Sequence, residues 1–330
     1  MEQGAQQGTK RTVAFSGTVQ PEQLKQWFTE RLGVEVLPSE RYMEADFLVC
    51  DNFNFNHETF KGVKIMLTGE NHAADLYEYD YCLSHELVED DRRHRFPYWQ
   101  FHMIFGWRSH IACLDRKEKI TAKQLLAQNR KFCAFVCKNG ACRKRNTLVS
   151  KLAELGLVDC GGPWMNNLGY CVDNKVEFQS GYYFSVAYEN EQSPGYQTEK
   201  IIDALISHSI PLYWGNPLVA EEFNPACFVD ARNFRNEDEM VAYLQELAKD
   251  ADRMAEMLNV PVFRQPGTLK KAEEELYAFL SKIIARGPGA IQRTRMQRML
   301  AVLRRYWGHG LFRSLRRFSR WLRGKKPNCK

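Results

Sequence analysis

The residues with the clearest capacity for chemistry lie between positions 188 and 217, where charged and polar side chains precede a helical pattern. Glu199 and Lys200 occupy the predicted first turn of a helix, with Thr198 as its N-cap and apolar residues at positions 201, 202, 205 and 206. A lysine at this end opposes the helix dipole unless an anion binds there. We therefore interpret Lys200 as a phosphate ligand and Glu199 as an acceptor for paired hydroxyls such as those of a ribose. The alternative is an ordinary helix start with a solvated lysine.

Two strands are predicted on either side of this helix. Residues 182–188 are rich in aromatic and branched side chains, and residues 210–214 contain a proline where a missing backbone donor is tolerated. The order strand, loop, helix, strand is typical of a parallel α/β sheet, whose loops bind ligands at the carboxyl edge. The free N–H groups at the helix start make that edge suitable for phosphate.

A second basic group follows another predicted strand, which begins at Lys131. Arg143, Lys144 and Arg145 open a predicted helix over residues 143–155, so the same argument predicts an anion site there. A planar guanidinium suits such a site because it can hold two phosphate oxygens at once. The nearby cysteines at 133, 137 and 142 fit no zinc spacing, and we expect reduced thiols without a metal.

The first part of the chain predicts an α/β domain of its own. Strands are predicted at residues 12–16, 34–37, 45–50 and 63–67, with a helix at 21–32, which indicates a parallel sheet covered on both faces. Glu70 follows the last of these strands, at the edge where ligands are expected. The alternative for Glu70 is a surface carboxylate that caps a helix start. We interpret the dense aromatic residues at 96–107 as core rather than as a sugar-stacking surface.

Three motifs carry a family resemblance: residues 188–190 (YEN), 195–201 (GYQTEKI) and 210–217 (IPLYWGNP). They resemble the donor-binding signature of the α1,3-fucosyltransferases of glycosyltransferase family 10, most of all its bacterial members. The resemblance implies an α/β GT-B fold, in which two Rossmann-like domains face each other across a cleft. It places an acceptor-binding domain at residues 11–122 and a GDP-fucose-binding domain with closing helices at residues 123–286.

The resemblance also implies roles on the donor side. Arg145 and Lys200 would hold the pyrophosphate of GDP-fucose, and Glu199 would hold the ribose hydroxyls. Asn190 and Tyr196 would line the fucose and phosphate pocket. The two cations and the helix N-terminus would stabilise the leaving phosphate, so we expect no cofactor and no essential divalent metal.

On the acceptor side, the resemblance makes Glu70 of the TGEN motif the catalytic base. It would deprotonate the O3 hydroxyl of N-acetylglucosamine in an N-acetyllactosamine-type glycan, in a single displacement that inverts the anomeric carbon. The product would be of the Lewis x type.

The net charge of +6 is unevenly distributed. Residues 287–330 contain 13 Lys and Arg and no Asp or Glu, so residues 1–286 carry −7. Arginines oppose an apolar stripe formed by Leu311, Leu315, Phe318 and Leu322, a pattern that favours an anionic inner-membrane surface as a partner. The alternatives are RNA binding, which we disfavour, and packing on the same protein.

The ends of the chain give the remaining expectations. Residues 1–10 read as a disordered leader without the apolar segment of a secretory signal, and no stretch is apolar enough to span a bilayer. We therefore expect a cytoplasmic protein that associates peripherally with the inner membrane.

Two other functions stay open at the level of sequence. One is a GT-B transferase that uses another nucleotide sugar, and the other is a non-catalytic nucleotide- or glycan-binding module at the membrane. The sequence does not distinguish α1,3 from α1,4 transfer.

Overall fold

A computed structural model describes residues 10–17, 21–51, 53, 56–88, 90–115 and 118–289. The predicted basic tail lies outside this range beyond residue 289, and the predicted leader lies outside it except for residue 10. Among the described residues, the first of two compact units contains those up to 96, residues 104–106 and residues 269–289. The second contains residues 97–103 and 107–268.

The first unit is built on a parallel sheet, as its alternating pattern predicts. Within the described residues, six strands pair in the order β2-β1-β3-β4-β5-β6. Strands β1, β3 and β4 are buried along almost their whole length, so they read as nearly continuous apolar runs. The strand bounds are β1 Thr12–Ser16, β2 Glu35–Val36, β3 Phe47–Cys50, β4 Val63–Leu67, β5 Tyr81–Ser84 and β6 Arg93–Arg95.

Helix α1, Glu22–Leu32, follows β1 and buries Leu24, Trp27 and Phe28. Pro21 precedes it with an extended backbone, and Gly33 ends it with a left-handed φ of 66°, a conformation that glycine adopts without a steric penalty. The short helix α2 is Asn56–Thr59. Local sequence therefore sets both ends of α1.

The long helix α11, Thr268–Arg286, belongs almost entirely to the first unit, although residues up to 286 were predicted to close the second domain. Its Glu273 accepts a 2.8 Å hydrogen bond from Trp27 Nε1, and Arg31 lies 5.1 Å from the centre of the Tyr277 ring. Phe279 packs against the Tyr81 ring. These contacts join the helix to residues 198 to 246 positions earlier, which a local pattern does not reveal.

The second unit contains another parallel sheet. In the described part of the chain, five strands pair in the order β11-β10-β9-β7-β8. Buried apolar side chains from one face of this sheet and from the helices packed on that face form a core cluster that includes Leu148, Phe184 and Leu212. The strands are β7 Lys131–Phe135, β8 Val158–Cys160, β9 Tyr182–Tyr188, β10 Ile210–Trp214 and β11 Val229–Asp230.

Helices follow these strands as expected for an α/β unit. The prediction of a parallel α/β fold class is confirmed in both units. The remaining helices are α3 Tyr98–Phe105, α4 Ala122–Ala127, α5 Arg143–Glu154, α6 Lys175–Ser180, α7 Glu199–Ile206, α8 Val219–Glu222, α9 Glu237–Leu247 and α10 Ala251–Asn259.

The aromatic segment after β6 forms α3 and packs internally. Trp99 has no exposed surface, and its ring lies 5.1 Å from that of Phe223 and 5.4 Å from that of Phe263, all within the second unit. Residues 97–103 therefore cluster with the second unit, although residues 11–122 were predicted as one domain. The interpretation of these aromatics as core is confirmed.

The described cysteines are free thiols, and burial raises the pKa of the Cys160 thiol to about 11. Within the described ranges, no group of three or more His, Cys, Asp or Glu side chains is arranged to hold a metal ion. None of the helices in the described ranges combines the length and the apolar character needed to cross a bilayer.

Candidate functional site

A buried carboxylate, Glu189, lies at the centre of the loop between β9 and α7. Its side chain is fully buried. Oε1 accepts a 2.7 Å hydrogen bond from the backbone N–H of Thr198, and Oε2 accepts one of 2.6 Å from the Thr198 hydroxyl. Thr198 is the N-cap residue of α7, as predicted, but its hydroxyl does not cap the helix. The Thr198 oxygen instead accepts a 2.7 Å hydrogen bond from Lys200 Nζ, while the Thr198 hydroxyl donates its proton to Glu189.

Lys200 completes this arrangement from the first turn of α7. Its Nζ donates to Glu189 Oε2 at 3.0 Å and to Thr198 Oγ1 at 2.7 Å. Burial alone would lower the pKa of the Lys200 ammonium, but Glu189 and Glu199 raise that pKa above its ordinary value. Lys200 therefore remains charged, and its side chain is 16% exposed at the carboxyl edge of the sheet.

Glu199 is more open than Glu189, with 28% of its side chain exposed, and its Oε1 lies 3.7 Å from Lys200 Nζ. Burial would raise the pKa of the Glu199 carboxyl, but the charges of Lys200 and Lys175 outweigh burial and lower that pKa to about 2. Because the folded-state pKa lies below the ordinary value, ionised Glu199 stabilises the fold above that value. This stabilisation is lost as the pH falls towards 2.

A further ion cluster lies one helical turn along α7, and the sequence analysis missed it. Asp203 Oδ2 accepts a 2.8 Å hydrogen bond from Lys175 Nζ, while Asp203 Oδ1 lies 2.9 Å from His102 Nε2. The Asp203 side chain is 6% exposed. Only the spacing of Glu199 and Asp203, four residues apart on one helix, could have suggested that they share a face.

Arg145 reaches the same loop from the start of α5. Its side chain is buried, and its Nη1 donates to the backbone oxygen of Tyr188 at 3.2 Å and to Asn190 Oδ1 at 2.9 Å. Its Nη2 donates to the backbone oxygen of Asn139. Arg145 Nε is also buried, and it has no hydrogen-bond partner within the part of the chain that the structure describes.

Arg145 and Lys200 therefore both donate hydrogen bonds to the segment 188–190. Arg145 holds Tyr188 and Asn190, and Lys200 holds Glu189 between them. Five of the six predicted site residues are brought to this edge of the second unit. They are Arg145, Asn190, Tyr196, Glu199 and Lys200.

The opposite side of the loop is fixed by Asn216, which follows β10. Its Oδ1 accepts from the backbone N–H of Gly195 at 2.8 Å and its Nδ2 donates to Gln197 Oε1 at 2.7 Å. Tyr196 lies between these two contacts and is 2% exposed. The loop is thus held by buried hydrogen bonds on both sides, which fixes the residues that open α7.

Glu70, the sixth predicted residue, lies in the first unit, just beyond the carboxyl end of β4. It is exposed. Its backbone N–H donates to Thr68 Oγ1 at 3.3 Å, and its backbone oxygen accepts from the N–H of His72 at 2.8 Å. No helix begins at this position, so the described structure gives no support to the helix-cap alternative. An exposed carboxylate on such a turn is accessible to an incoming ligand.

Chemically, the edge of the second unit offers two cations near backbone amides and one partly exposed carboxylate. Arg145, Lys200 and the α7 N-terminus provide a positive environment of the kind that binds phosphate. Glu199 provides acceptor oxygens for hydroxyls. This combination suits a sugar nucleotide, whose pyrophosphate and ribose need those two kinds of group.

Family models match both parts of the chain. The C-terminal model of glycosyltransferase family 10 (fucosyltransferase) matches residues 125–275. The FucT N-terminal domain model of α-(1,3)-fucosyltransferase matches residues 14–102. All six candidate residues fall inside these two matches.

Individual proteins similar to this chain are also fucosyltransferases. The chain is 34% identical over 220 residues to an α-(1,3)-fucosyltransferase FucT of Helicobacter pylori, covering 59% of this chain and 46% of that protein. It is 37% identical over 180 residues to an α-(1,4)-fucosyltransferase of Arabidopsis thaliana, covering 54% of this chain and 42% of the relative. The chain therefore spans less than half the length of these curated relatives.

Solved structures give a longer match. A crystal structure of α1,3-fucosyltransferase aligns with a TM-score of 0.64 and 26% identity, over 85% of this chain and 93% of that one. A crystal structure of α1,3-fucosyltransferase with GDP-fucose aligns over the same shares with a TM-score of 0.61 and 26% identity.

Gly215 provides a test of how tightly Glu189 is held. A Cβ at Gly215 would lie 2.4 Å from Glu189 Cγ and 2.9 Å from the Tyr213 hydroxyl. We expect Gly215→Ala to lower the free energy of unfolding by about 1–3 kcal/mol because the overpacked, buried carboxylate must move. Chemical denaturation followed by circular dichroism measures this change.

The matched control is Gly181→Ala in the same unit, where an added Cβ would lie an ordinary 3.5 Å from the backbone oxygen of Phe178. That variant is expected to change stability by less than about 1 kcal/mol. Equal stability of the two variants would contradict the close packing of Glu189 against Gly215.

Proposed function

We propose that the chain, which matches fucosyltransferase family models over residues 14–102 and 125–275, is an α1,3-fucosyltransferase of glycosyltransferase family 10 using GDP-β-L-fucose. Its acceptor is a glycan of the N-acetyllactosamine type, and fucose is transferred to O3 of N-acetylglucosamine. The observation that carries the proposal is the convergence of Arg145 and Lys200 on residues 188–190, inside the segment matched by the fucosyltransferase C-terminal model.

On the donor side, Lys200 and Arg145 bind the pyrophosphate, together with the free N–H groups at the start of α7. Lys200 contributes through its charge and its partial exposure. Arg145 contributes through its positive charge beneath the loop and by holding Asn190. Glu199 accepts hydrogen bonds from the ribose hydroxyls. Asn190 and Tyr196 line the pocket for the sugar and the phosphate next to it.

The transfer is a single displacement with inversion. The bond between the fucose anomeric carbon and the β-phosphate oxygen breaks, and GDP leaves with the electron pair. The acceptor O3 attacks the opposite face of the anomeric carbon, and its proton passes to the Glu70 carboxylate. Charge grows on the leaving phosphate, where Lys200 and the helix N-terminus stabilise it electrostatically. These groups supply the function that a divalent metal serves in other transferases, so the proposal requires no metal.

The direct test is incubation of the full chain with GDP-fucose and paired type 1 and type 2 disaccharides, followed by linkage analysis of the product. We expect an α1,3-linked product on the type 2 disaccharide, released together with one GDP. A product made only from another nucleotide sugar would contradict the choice of donor. GDP binding without any product would favour a non-catalytic binding module instead.

Two substitutions separate binding from transfer. Glu70→Gln is expected to bind GDP as the parent does but to transfer fucose about 10²–10⁴ times more slowly, because the base is lost. Lys200→Ala is expected to weaken GDP binding by about 10- to 100-fold, since a hydrogen bond to a charged group contributes about 1.5–3 kcal/mol. Isothermal titration with GDP and initial rates of transfer measure the two effects.

The matched control for Glu70 is Glu30→Gln, which changes an exposed carboxylate on α1. It should leave both binding and transfer unchanged. Full turnover by Glu70→Gln would remove Glu70 from the mechanism, and parental GDP affinity in Lys200→Ala would remove Lys200 from the phosphate site.

The basic tail supports a second part of the proposal, peripheral association with an anionic cytoplasmic membrane surface. The argument is the sequence pattern of residues 311–323, with an apolar stripe and opposing arginines. Arg313, Arg316, Arg317 and Arg320 changed together to Gln should reduce binding to phosphatidylglycerol vesicles by about 10³-fold, at about 1 kcal/mol per charge.

Vesicle sedimentation of the full chain measures this loss, with neutral phosphatidylcholine vesicles as the control. Equal binding of the parent to neutral and anionic vesicles would contradict the electrostatic part of the proposal.

A further inference from the structure

We propose that Lys175 is a positioning residue for Glu199, and that Asp203 and His102 hold Lys175 in place. The inference rests on the proposed function, in which Glu199 accepts the ribose hydroxyls of the donor. It adds a supporting cluster to the site: a cation from α6 and a histidine from α3, joined through a carboxylate on α7.

The geometry of this cluster is fixed at several points. Asp203 lies four residues after Glu199 on α7, so the two carboxylates share one helical face. Lys175 Nζ donates to Asp203 Oδ2 at 2.8 Å, and His102 Nε2 lies 2.9 Å from Oδ1. Both oxygens of a nearly buried carboxylate are thus engaged. The backbone of Lys175 is also fixed, because Asn174 caps α6 by accepting from the N–H of Glu177 at 3.1 Å.

Lys200 alone does not hold Glu199. Its Nζ is engaged by Glu189 at 3.0 Å and by the Thr198 hydroxyl at 2.7 Å, but it is 3.7 Å from Glu199 Oε1. The Glu199 carboxylate therefore has its stronger neighbouring cation committed elsewhere. Lys175 is the second cation whose charge acts on Glu199, and its bond to Asp203 holds it against the helix α7 that carries Glu199.

The electrostatics agree with this arrangement. Burial would lower the pKa of the Lys175 ammonium, but Asp203 and Glu199 raise it above its ordinary value. Lys175 is also one of the charges that depress the pKa of the Glu199 carboxyl. Each group therefore favours the charged form of the other, as expected for neighbours of opposite sign.

A purely stabilising role is a poor explanation for this cluster. Removing charges from water costs free energy that a buried ion pair does not always recover, so such clusters are weak evidence for stability. A hydroxyl-binding carboxylate, in contrast, needs oxygens that point in a fixed direction before the ligand arrives. The cluster is suited to that requirement because it fixes Lys175 to Asp203, which lies on α7 one helical turn after Glu199.

The test compares the affinity of the full chain for GDP with its affinity for 2′,3′-dideoxy-GDP, which lacks both ribose hydroxyls. Isothermal titration gives the ratio of the two affinities. We expect the parent to prefer GDP by about tenfold or more, and Glu199→Gln to abolish most of this preference. Lys175→Met should reduce the ratio as Glu199→Gln does, and Lys175→Arg should restore it.

Two further variants make the result specific. Lys175→Gln keeps a hydrogen-bond donor for Asp203 but removes the charge, and it replaces the Met variant if that variant does not fold. Lys131→Met is the matched control because Lys131 pairs with Asp159 at 2.6 Å in the same unit, at the amino end of β7. It should leave the ratio unchanged.

The outcomes distinguish this inference from the function on which it rests. If the Lys175 variants weaken binding of both nucleotides equally and keep the parental ratio, Lys175 has only a structural role and the inference is overturned. A parent that binds both nucleotides equally well overturns it too, because Glu199 then does not contact the ribose. A parent that binds neither nucleotide contradicts the proposed function itself.

Discussion

The buried carboxylate of Glu189 is the constraint on which the second unit depends. It has no exposed surface, and a charge taken out of water persists only when it is paired and hydrogen-bonded. Thr198 and Lys200 donate hydrogen bonds to the Glu189 carboxylate from the start of α7. Gly215 has no side chain, which leaves room for the side chain of Glu189. The end of β9, the end of β10 and the start of α7 are therefore fixed relative to one another by one side chain.

This constraint organises the charges around α7. Lys200 pairs with Glu189, Lys175 pairs with Asp203, and Glu199 lies 3.7 Å from Lys200 with part of its surface exposed. Glu189 and Asp203 are satisfied by these pairs, and Glu199 is the more open carboxylate, the one proposed to accept the ribose hydroxyls. In this arrangement the buried carboxylates of Glu189 and Asp203 bear the desolvation cost, and the partly exposed carboxylate of Glu199 stays ionised.

Both units use the same property of parallel sheets. Their loops at the carboxyl ends of strands carry the polar residues, while inner strands such as β3 and β9 are almost wholly buried. Glu70 follows β4 in one unit, and residues 188–200 follow β9 in the other. The family matches agree with this division, since one model matches the first part of the chain and another matches the second.

The sequence by itself determined the elements whose pattern is local. The bounds of β1, β4, β9 and β10 agree with the prediction because they are apolar runs next to clear turns, and α7 begins where Thr198 indicated. Strand β6, Arg-His-Arg, was missed because it carries no apolar residue. Only the tertiary structure assigned α11 to the first unit and joined Lys175, Asp203 and His102. Those contacts link residues 28 to 246 positions apart, and periodicity along the chain contains no information about such pairs.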